Sequence, residues 1–323
     1  MPIQCELCPR LCTIKAGQAG DCRVRVNIDG KLRAVTYGYP VSVHIDPMEK
    51  KPLFHFLPGE PIFSVATVGC NLHCQHCQNW EISQANPDDV EAYDLPPENL
   101  AALAHSKGCR AVAYTYTEPL VYYEYTYDSS VACHKRGLKN VLVSAGYINP
   151  EPWRALCKVI DGAILDVKAM SDRIYRETCL GTLEPVLNTL RIAREEGVWV
   201  EVLNLLIPTI NDSNGLIDDL AIFVRDELGV GVPLHFTAFH PDYKLRHIPR
   251  TPQKTLERAR QRALQAGLHN VFVGNVMGSE GENTYCPGCD TVIIRRVGFK
   301  ILENRLDGGS CPDCGTPIFG VWK

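Results

Sequence analysis

Residues 62–77 read IFSVATVGCNLHCQHC. A continuous run of β-branched and aromatic residues ends in Gly69, and three cysteines follow at Cys70, Cys74 and Cys77 as C-x3-C-x2-C. A short apolar run without alternation reads as a strand buried on both faces, the usual condition inside a parallel sheet. Comparable runs recur at 111–116, 141–145, 162–167, 198–207, 233–239 and 270–274. Helix-length amphipathic stretches separate them, near 96–107, 119–136, 150–158, 172–196, 214–227 and 252–267. Pro150 and Pro252 suit helix starts, and Gly137, Gly197 and Gly267 suit stops. Strands alternating with helices make βαβ units. The expected fold is α/β, a partial (β/α)6-type TIM-like barrel over residues 41–278. The same rhythm also allows a doubly wound open sheet.

Small cysteine-rich modules flank this region. Residues 1–40 carry Cys5, Cys8, Cys12 and Cys22, then a hairpin signal at Asp29-Gly30 between extended runs. The Pro-punctuated stretch 40–61, containing DPMEKKPLFHFLPGEP, reads as a linker wrapped onto the barrel. Residues 279–323 carry CPGC (Cys286, Cys289) and CPDC (Cys311, Cys314), 21 residues apart. Two such knuckles make a tetrahedral thiolate site. Structural zinc is the preferred occupant, over rubredoxin-type iron or an auxiliary cluster. The N-terminal spacing C-x2-C-x3-C-x9-C suits zinc and an auxiliary iron–sulfur cluster equally.

The remaining four cysteines, Cys109, Cys133, Cys157 and Cys179, are single and read as small buried apolar residues. A total of fifteen is odd, and MPIQCELCPR lacks the pattern of an export signal. Both features point away from a disulfide framework and toward metal ligation in the cytoplasm. No apolar run is long enough to span a bilayer, and the net charge is −4. That balance gives no sign of a membrane or nucleic-acid partner.

In a parallel barrel, chemistry gathers in the loops after the strands. The first such loop holds the three cysteines, which can ligate three irons of a [4Fe–4S] cube and leave the fourth without a protein ligand. Zinc on these cysteines with His73 or His76 is the competing reading. Later loops hold Thr117-Glu118-Pro119, Ser144-Ala145-Gly146, Asp166-Val167-Lys168 and His240-Pro241-Asp242-Tyr243-Lys244.

C-x3-C-x2-C after a first barrel strand, with aromatic His76 before the last cysteine, resembles the radical S-adenosylmethionine (SAM) superfamily. Thr117-Glu118-Pro119 is similar to its Gly-Gly-Glu-Pro stretch, with Tyr116 and Thr117 where the glycines would stand. Ser144-Ala145-Gly146 and Asp166-Val167-Lys168 resemble Thr-Asn-Gly and Asp-x-Lys of glycyl-radical activating enzymes. Across nearly the whole chain, CELCPRLC, DPMEKKPLFHFLPG, YTYTEP, FHPDYKL and the terminal knuckles resemble the radical enzymes of AmmeMemoRadiSam systems, relatives of pyruvate formate-lyase activating enzyme.

This resemblance implies a [4Fe–4S] cluster on Cys70, Cys74 and Cys77, with SAM on the open iron. Glu118 would accept from the methionine amino group. Ser144 and His240 would touch ribose or adenine, His76 and Gly146 would also bind the cofactor, and Asp166 with Lys168 would order the polar end. It also implies an electron donor such as flavodoxin or ferredoxin, and partner proteins of the same system. The hydrogen-atom donor would be a protein glycine or a small molecule. Two other functions are compatible with the cysteines: a zinc-stapled scaffold binding protein or RNA, and radical modification of nucleic acid.

Overall fold

The computed structural model describes residues 1–323. Its N-terminal module is built from two short antiparallel pairs. β1 (Ile3–Gln4) pairs with β2 (Thr13–Ile14), and β3 (Arg25–Ile28) with β4 (Lys31–Ala34). Asp29 and Gly30 take φ of 50° and 75° between β3 and β4, the left-handed pair that a two-residue hairpin demands.

β5 (Ser42–Pro47) runs antiparallel to β6 (Pro61–Ala66), in register from Ser42↔Ala66 to Pro47↔Pro61. The stretch 40–61 is therefore no external linker. Between these strands, Met48, Leu53, Phe56 and Leu57 are buried against Ala111, Ala113, Val141 and Ile164. The physical reason is apolar area: so many large side chains gain more by filling the barrel than by crossing its surface.

From β6 onward the chain passes through α1 (Trp80–Ser83), α2 (Pro97–Ser106), β7 (Ala111–Tyr114), α3 (Tyr123–His134) and β8 (Lys139–Ser144). It continues through α4 (Pro150–Cys157), β9 (Gly162–Asp166), α5 (Asp172–Cys179), α6 (Glu184–Glu195) and β10 (Trp199–Leu206). α7 (Asn214–Phe223), β11 (Leu234–Ala238), α8 (Gln253–Gln265) and β12 (Val271–Gly274) complete it. The sheet order is β12-β11-β10-β9-β8-β7-β6-β5, with β6 to β12 all parallel. Six β–α repeats thus end on a seventh parallel strand. β12 and β5 lie at opposite ends of the sheet order, so the barrel is incompletely closed.

The helical stretch 172–196 is two helices. Ser171 caps α5 by accepting from the Ile174 amide, and Leu180 ends it at φ 53°.

Alternation along the strands separates two cores. Val112, Leu142, Leu165, Val202 and Phe236 are buried in the large cluster they share with helix residues such as Leu100, Trp153 and Leu190. The neighbouring residues Ala113, Val141 and Ile164 belong to the cluster with the 48–57 segment, which enters at the N-terminal end of β6. Gly162 makes room for it: a Cβ there would come within 3.0 Å of the Phe56 ring.

Buried Glu201 ties the segment down. It accepts from the amides of Phe54 (3.0 Å) and His55 (2.8 Å) and from Trp199 Nε1 (3.1 Å), and His235 Nε2 lies 2.6 Å away. Burial pushes this carboxyl's pKa up, but His235, with His55 close by, more than offsets that and leaves it below the ordinary value.

The C-terminal module is a three-stranded sheet of β13 (Thr284–Tyr285), β14 (Val292–Val297) and β15 (Lys300–Asn304). It clamps the same segment. Val321 donates to His55 O (2.7 Å) and accepts from the Leu57 amide (2.8 Å), while Arg296 Nη2 donates to Phe54 O (2.8 Å). The Arg296 guanidinium also lies 4.4 Å from the Phe54 ring centroid.

Candidate active site

At the C-terminal ends of the parallel strands lies a cavity of about 300 Å³. Its lining includes Cys70, Cys74, His76 and Cys77 from the loop after β6, Glu118 after β7, and Ser144 at the end of β8. Asp166 and Lys168, from the end of β9, complete the expected polar set. Two expected residues stand apart. His240 is exposed and does not line the cavity, and Gly146 lies behind Ser144, donating to its Oγ at 2.9 Å.

The cysteine loop is braced from outside. Asn71 donates to Tyr147 O (2.7 Å), and Arg10 Nε donates to Asn71 O (2.9 Å). Gly69 has φ 97°, and a Cβ there would meet Val24 at 2.3 Å, so the N-terminal module packs directly on the loop's first turn. On the other side, the Lys244 amide donates to Gln75 O (3.1 Å) and Tyr243 stacks on Trp80. The loop after β11 therefore acts here through Tyr243 and Lys244 rather than through His240.

Three observations test whether these residues suit an iron–sulfur cluster. Burial pushes the Cys70 and Cys77 thiols up, so their thiolates need a compensating cation. The Sγ atoms of Cys70, Cys74 and Cys77 do not all lie within 4.8 Å of one another. A single zinc ion would hold its sulfurs about 3.8 Å apart, from bonds of about 2.3 Å. Finally, both ring nitrogens of buried His76 lack a partner. Burial, then nearby Lys168, brings its pKa down to about 3, so the ring is neutral.

His73 is already engaged. Its ring nitrogens lie 2.8 Å from Gln84 Oε1 and 2.8 Å from Asp21 Oδ2. Cys179 is buried in the large core as expected, yet Cys74, His76 and Cys179 also bring donor atoms within 4.8 Å of one another. Nothing in the spacing C-x3-C-x2-C signals a cysteine at the end of α5.

Glu118 is 1% exposed. It accepts from Ser144 Oγ (2.6 Å), the Ala145 amide (3.0 Å) and the Leu120 amide (3.2 Å). Burial raises its pKa, against the pull of those donors. Lys168 is ion-paired with Asp166, whose Oδ1 has no partner. Burial works against the Lys168 charge, yet Asp166 and Cys74 hold its pKa well above the ordinary value.

The cavity also includes Lys50, Lys51 and Pro52 from the 48–57 segment and Thr237, none anticipated from sequence, beside Tyr116 and Asn275 at the ends of their strands. The available signal was EKKP followed by LFHFL, too apolar for a solvent-exposed connector.

The two flanking cysteine sets differ. In the C-terminal set all four sulfurs lie within 4.8 Å, with Cys286–Cys314 at 3.5 Å and Cys289–Cys311 at 3.7 Å, spacings suited to one tetrahedral ion. No three sulfurs of Cys5, Cys8, Cys12 and Cys22 are gathered that closely.

Comparison with known proteins follows this geometry. Residues 64–221 match the family described as the radical SAM superfamily. An uncharacterized protein of Methanocaldococcus jannaschii is 49% identical over 321 residues, covering 98% of this chain and 95% of its own. Pyruvate formate-lyase-activating enzyme of Clostridium pasteurianum is 24% identical over 192 residues, covering 56% of this chain and 80% of its own. Among solved structures, Streptococcus suis SuiB bound to precursor peptide SuiA superposes with a TM-score of 0.52 at 15% identity. That match covers 71% of this chain and 51% of SuiB, and it speaks to the fold. No helix is long and apolar enough to cross a membrane.

Proposed function

Because the chain belongs to the radical SAM superfamily, we propose that it is an enzyme that binds a [4Fe–4S] cluster through Cys70, Cys74 and Cys77 and binds SAM beside it. Together, cluster and SAM would supply a 5′-deoxyadenosyl radical, by reductive cleavage, for hydrogen-atom abstraction from the substrate. The observation that carries this reading is convergence: three thiols, a buried carboxylate and an ion-paired lysine line one cavity at the strand ends.

The chain's own residues divide the remaining work. Glu118 spends three acceptor positions on protein donors, and a carboxylate has about four, so one remains for the ammonium of SAM. Ser144 orients that carboxylate. His76 offers a neutral ring with two free nitrogens at the cavity wall. Asp166 and Lys168 hold a fixed dipole beside the thiols, and the 48–57 segment keeps solvent from the strands' far end.

The substrate is a protein glycine, as the similarity to an activating enzyme suggests, or a small molecule, and reduced flavodoxin or ferredoxin is the proposed electron donor. The C-terminal cysteines hold zinc as a structural ion, and the N-terminal set holds zinc or an auxiliary cluster. Fifteen unpaired cysteines suit a reducing compartment, the cytoplasm. A single zinc ion on Cys74, His76 and Cys179 is the competing reading of the centre, favoured by the approach of those three donors.

Anaerobic reconstitution separates the readings. The proposal expects about four irons and four sulfides in the barrel centre, and SAM cleavage under reductant that Cys74→Ala abolishes together with the cluster absorbance. Zinc without acid-labile sulfide, or undiminished cleavage in the variant, overturns it. A non-catalytic scaffold would show the same sulfide-free result with no cleavage.

A further inference from the structure

We propose that the floor of the cavity is an oxyanion-binding subsite, in which Lys51 and Lys50 receive a carboxylate or phosphate group of the substrate. The inference rests on the cavity being the reaction chamber, and it names a chemical class for what enters.

Lys50, Lys51 and Pro52 line the cavity from the segment that fills the lumen, not from the strand ends that carry Glu118 and Lys168. Lys51 has a side chain only 2% exposed, with Nζ 2.6 Å from Asp46 Oδ2. Lys50 Nζ lies 2.8 Å from Asp46 Oδ1. One carboxylate thus serves two ammoniums, and it also accepts the Tyr116 hydroxyl. The group carries a net charge of +1.

Asp46 is the one hydrogen-bond partner of Lys51 Nζ, although an ammonium has three N–H donors. A buried ammonium with open donors is unfavourable until something accepts from them. Its other near neighbour is the Tyr116 ring, whose centroid lies 4.1 Å from Nζ. Desolvation lowers the Lys51 pKa to about 8, while Asp46 works to keep the charge.

Tyr116 supplies an independent sign. It holds φ at 63°, a conformation that costs a non-glycine residue energy. That backbone accompanies a side chain reaching both Asp46 and Lys51. A strained residue that shapes a charged pocket is characteristic of a binding site rather than of packing. An arriving oxyanion would take the open Lys51 donors and neutralise the excess charge.

Reductive trapping tests the subsite in the full-length protein, with pyridoxal 5′-phosphate as probe and 5′-deoxypyridoxal, which lacks the phosphate and keeps a free aldehyde, as control. After cyanoborohydride treatment, peptide mapping should place the label on Lys50 or Lys51. Labelling there should be half-complete at about tenfold lower pyridoxal 5′-phosphate than 5′-deoxypyridoxal, the effect of one charge-assisted contact.

Inorganic phosphate and succinate are the competitors. Stronger protection by one identifies the group as phosphate or carboxylate, and protection by neither overturns the proposal. Equal labelling by the two aldehydes, or label spread over surface lysines, also overturns it. Labelling should persist at SAM concentrations that saturate binding; its loss there would assign the lysines to the SAM carboxylate instead. Lys51→Met should remove the Lys51 label, while wild-type mapping stands even if that variant does not fold. Labelling requires neither cluster nor SAM cleavage, so failure of the radical reading and failure of the subsite are separately visible.

Discussion

Glu118→Gln separates the binding of SAM from the stability of its pocket. The substitution keeps side-chain volume but removes the charge, and it turns one acceptor into a donor facing the Ser144 hydroxyl or the Ala145 amide. A charge-assisted hydrogen bond to the SAM ammonium is worth about 1.5–3 kcal/mol. SAM should therefore bind roughly ten- to 150-fold more weakly. Equilibrium binding to anaerobically reconstituted protein, matched for iron content, measures this directly. The apo protein should show the opposite trend with pH. Burial raises the Glu118 pKa in the folded state, so its contribution to stability is full below the unfolded value of about 4.3. That contribution is lost as pH rises through the raised folded value. The glutamine variant escapes this loss, and its thermal midpoint relative to wild type should climb between those pH values. A SAM affinity within about threefold of wild type, a difference well under 1 kcal/mol, would refute the role given to this carboxylate.

Three further outcomes follow from the lower barrel and the C-terminal module. Glu201→Gln should cost about 3–5 kcal/mol in urea unfolding at neutral pH, because it breaks a buried pair with His235. The folded Glu201 pKa is depressed, so wild-type stability from this group is present above the unfolded pKa and lost as pH falls through the folded one; the variant should lack that acid-sensitive part. Arg296→Met should cost a similar 3–5 kcal/mol by leaving Glu49 without its cation and Phe54 O without its donor. Adding Glu49→Gln should restore at least about 1 kcal/mol of it, and simple additivity would disprove the coupling. Removing metal from the C-terminal cysteines with a chelator, or Cys311→Ser, should speed tryptic cleavage after Lys50, the Lys51–Pro52 bond being resistant to trypsin, because Val321 and Phe319 hold the adjoining His55 and Leu57. Unchanged cleavage would show that the clamp stands without its ion.

The parallel strands were legible because each is a β-branched run, and the helices because Pro and Gly punctuate them. Loop position after each strand then placed Glu118, Ser144, Asp166 and Lys168 at one end of the sheet, where they do line a common cavity. The 48–57 segment was not legible, because entering a lumen is a tertiary event with no sequence period. Its prolines suggested a loop while its Leu and Phe residues settled the outcome by burial. The break at Leu180 was hidden for a related reason: helix propensity runs through it, and a left-handed residue there is not a glycine. Cys179 looked inert because its neighbour Cys74 lies more than a hundred residues away in sequence. His240 was misplaced because a motif fixes a loop, whereas the orientation of each side chain within it depends on what the loop leans on, here Trp80 and Gln75.

A barrel stoppered by its own chain is a cup rather than a tunnel. From the far end, the packed side chains of Met48, Leu53, Phe56 and Leu57 bar the way through the base of the strands. A bulky substrate seated over the mouth of that cup would then shelter the chemistry beneath it from water.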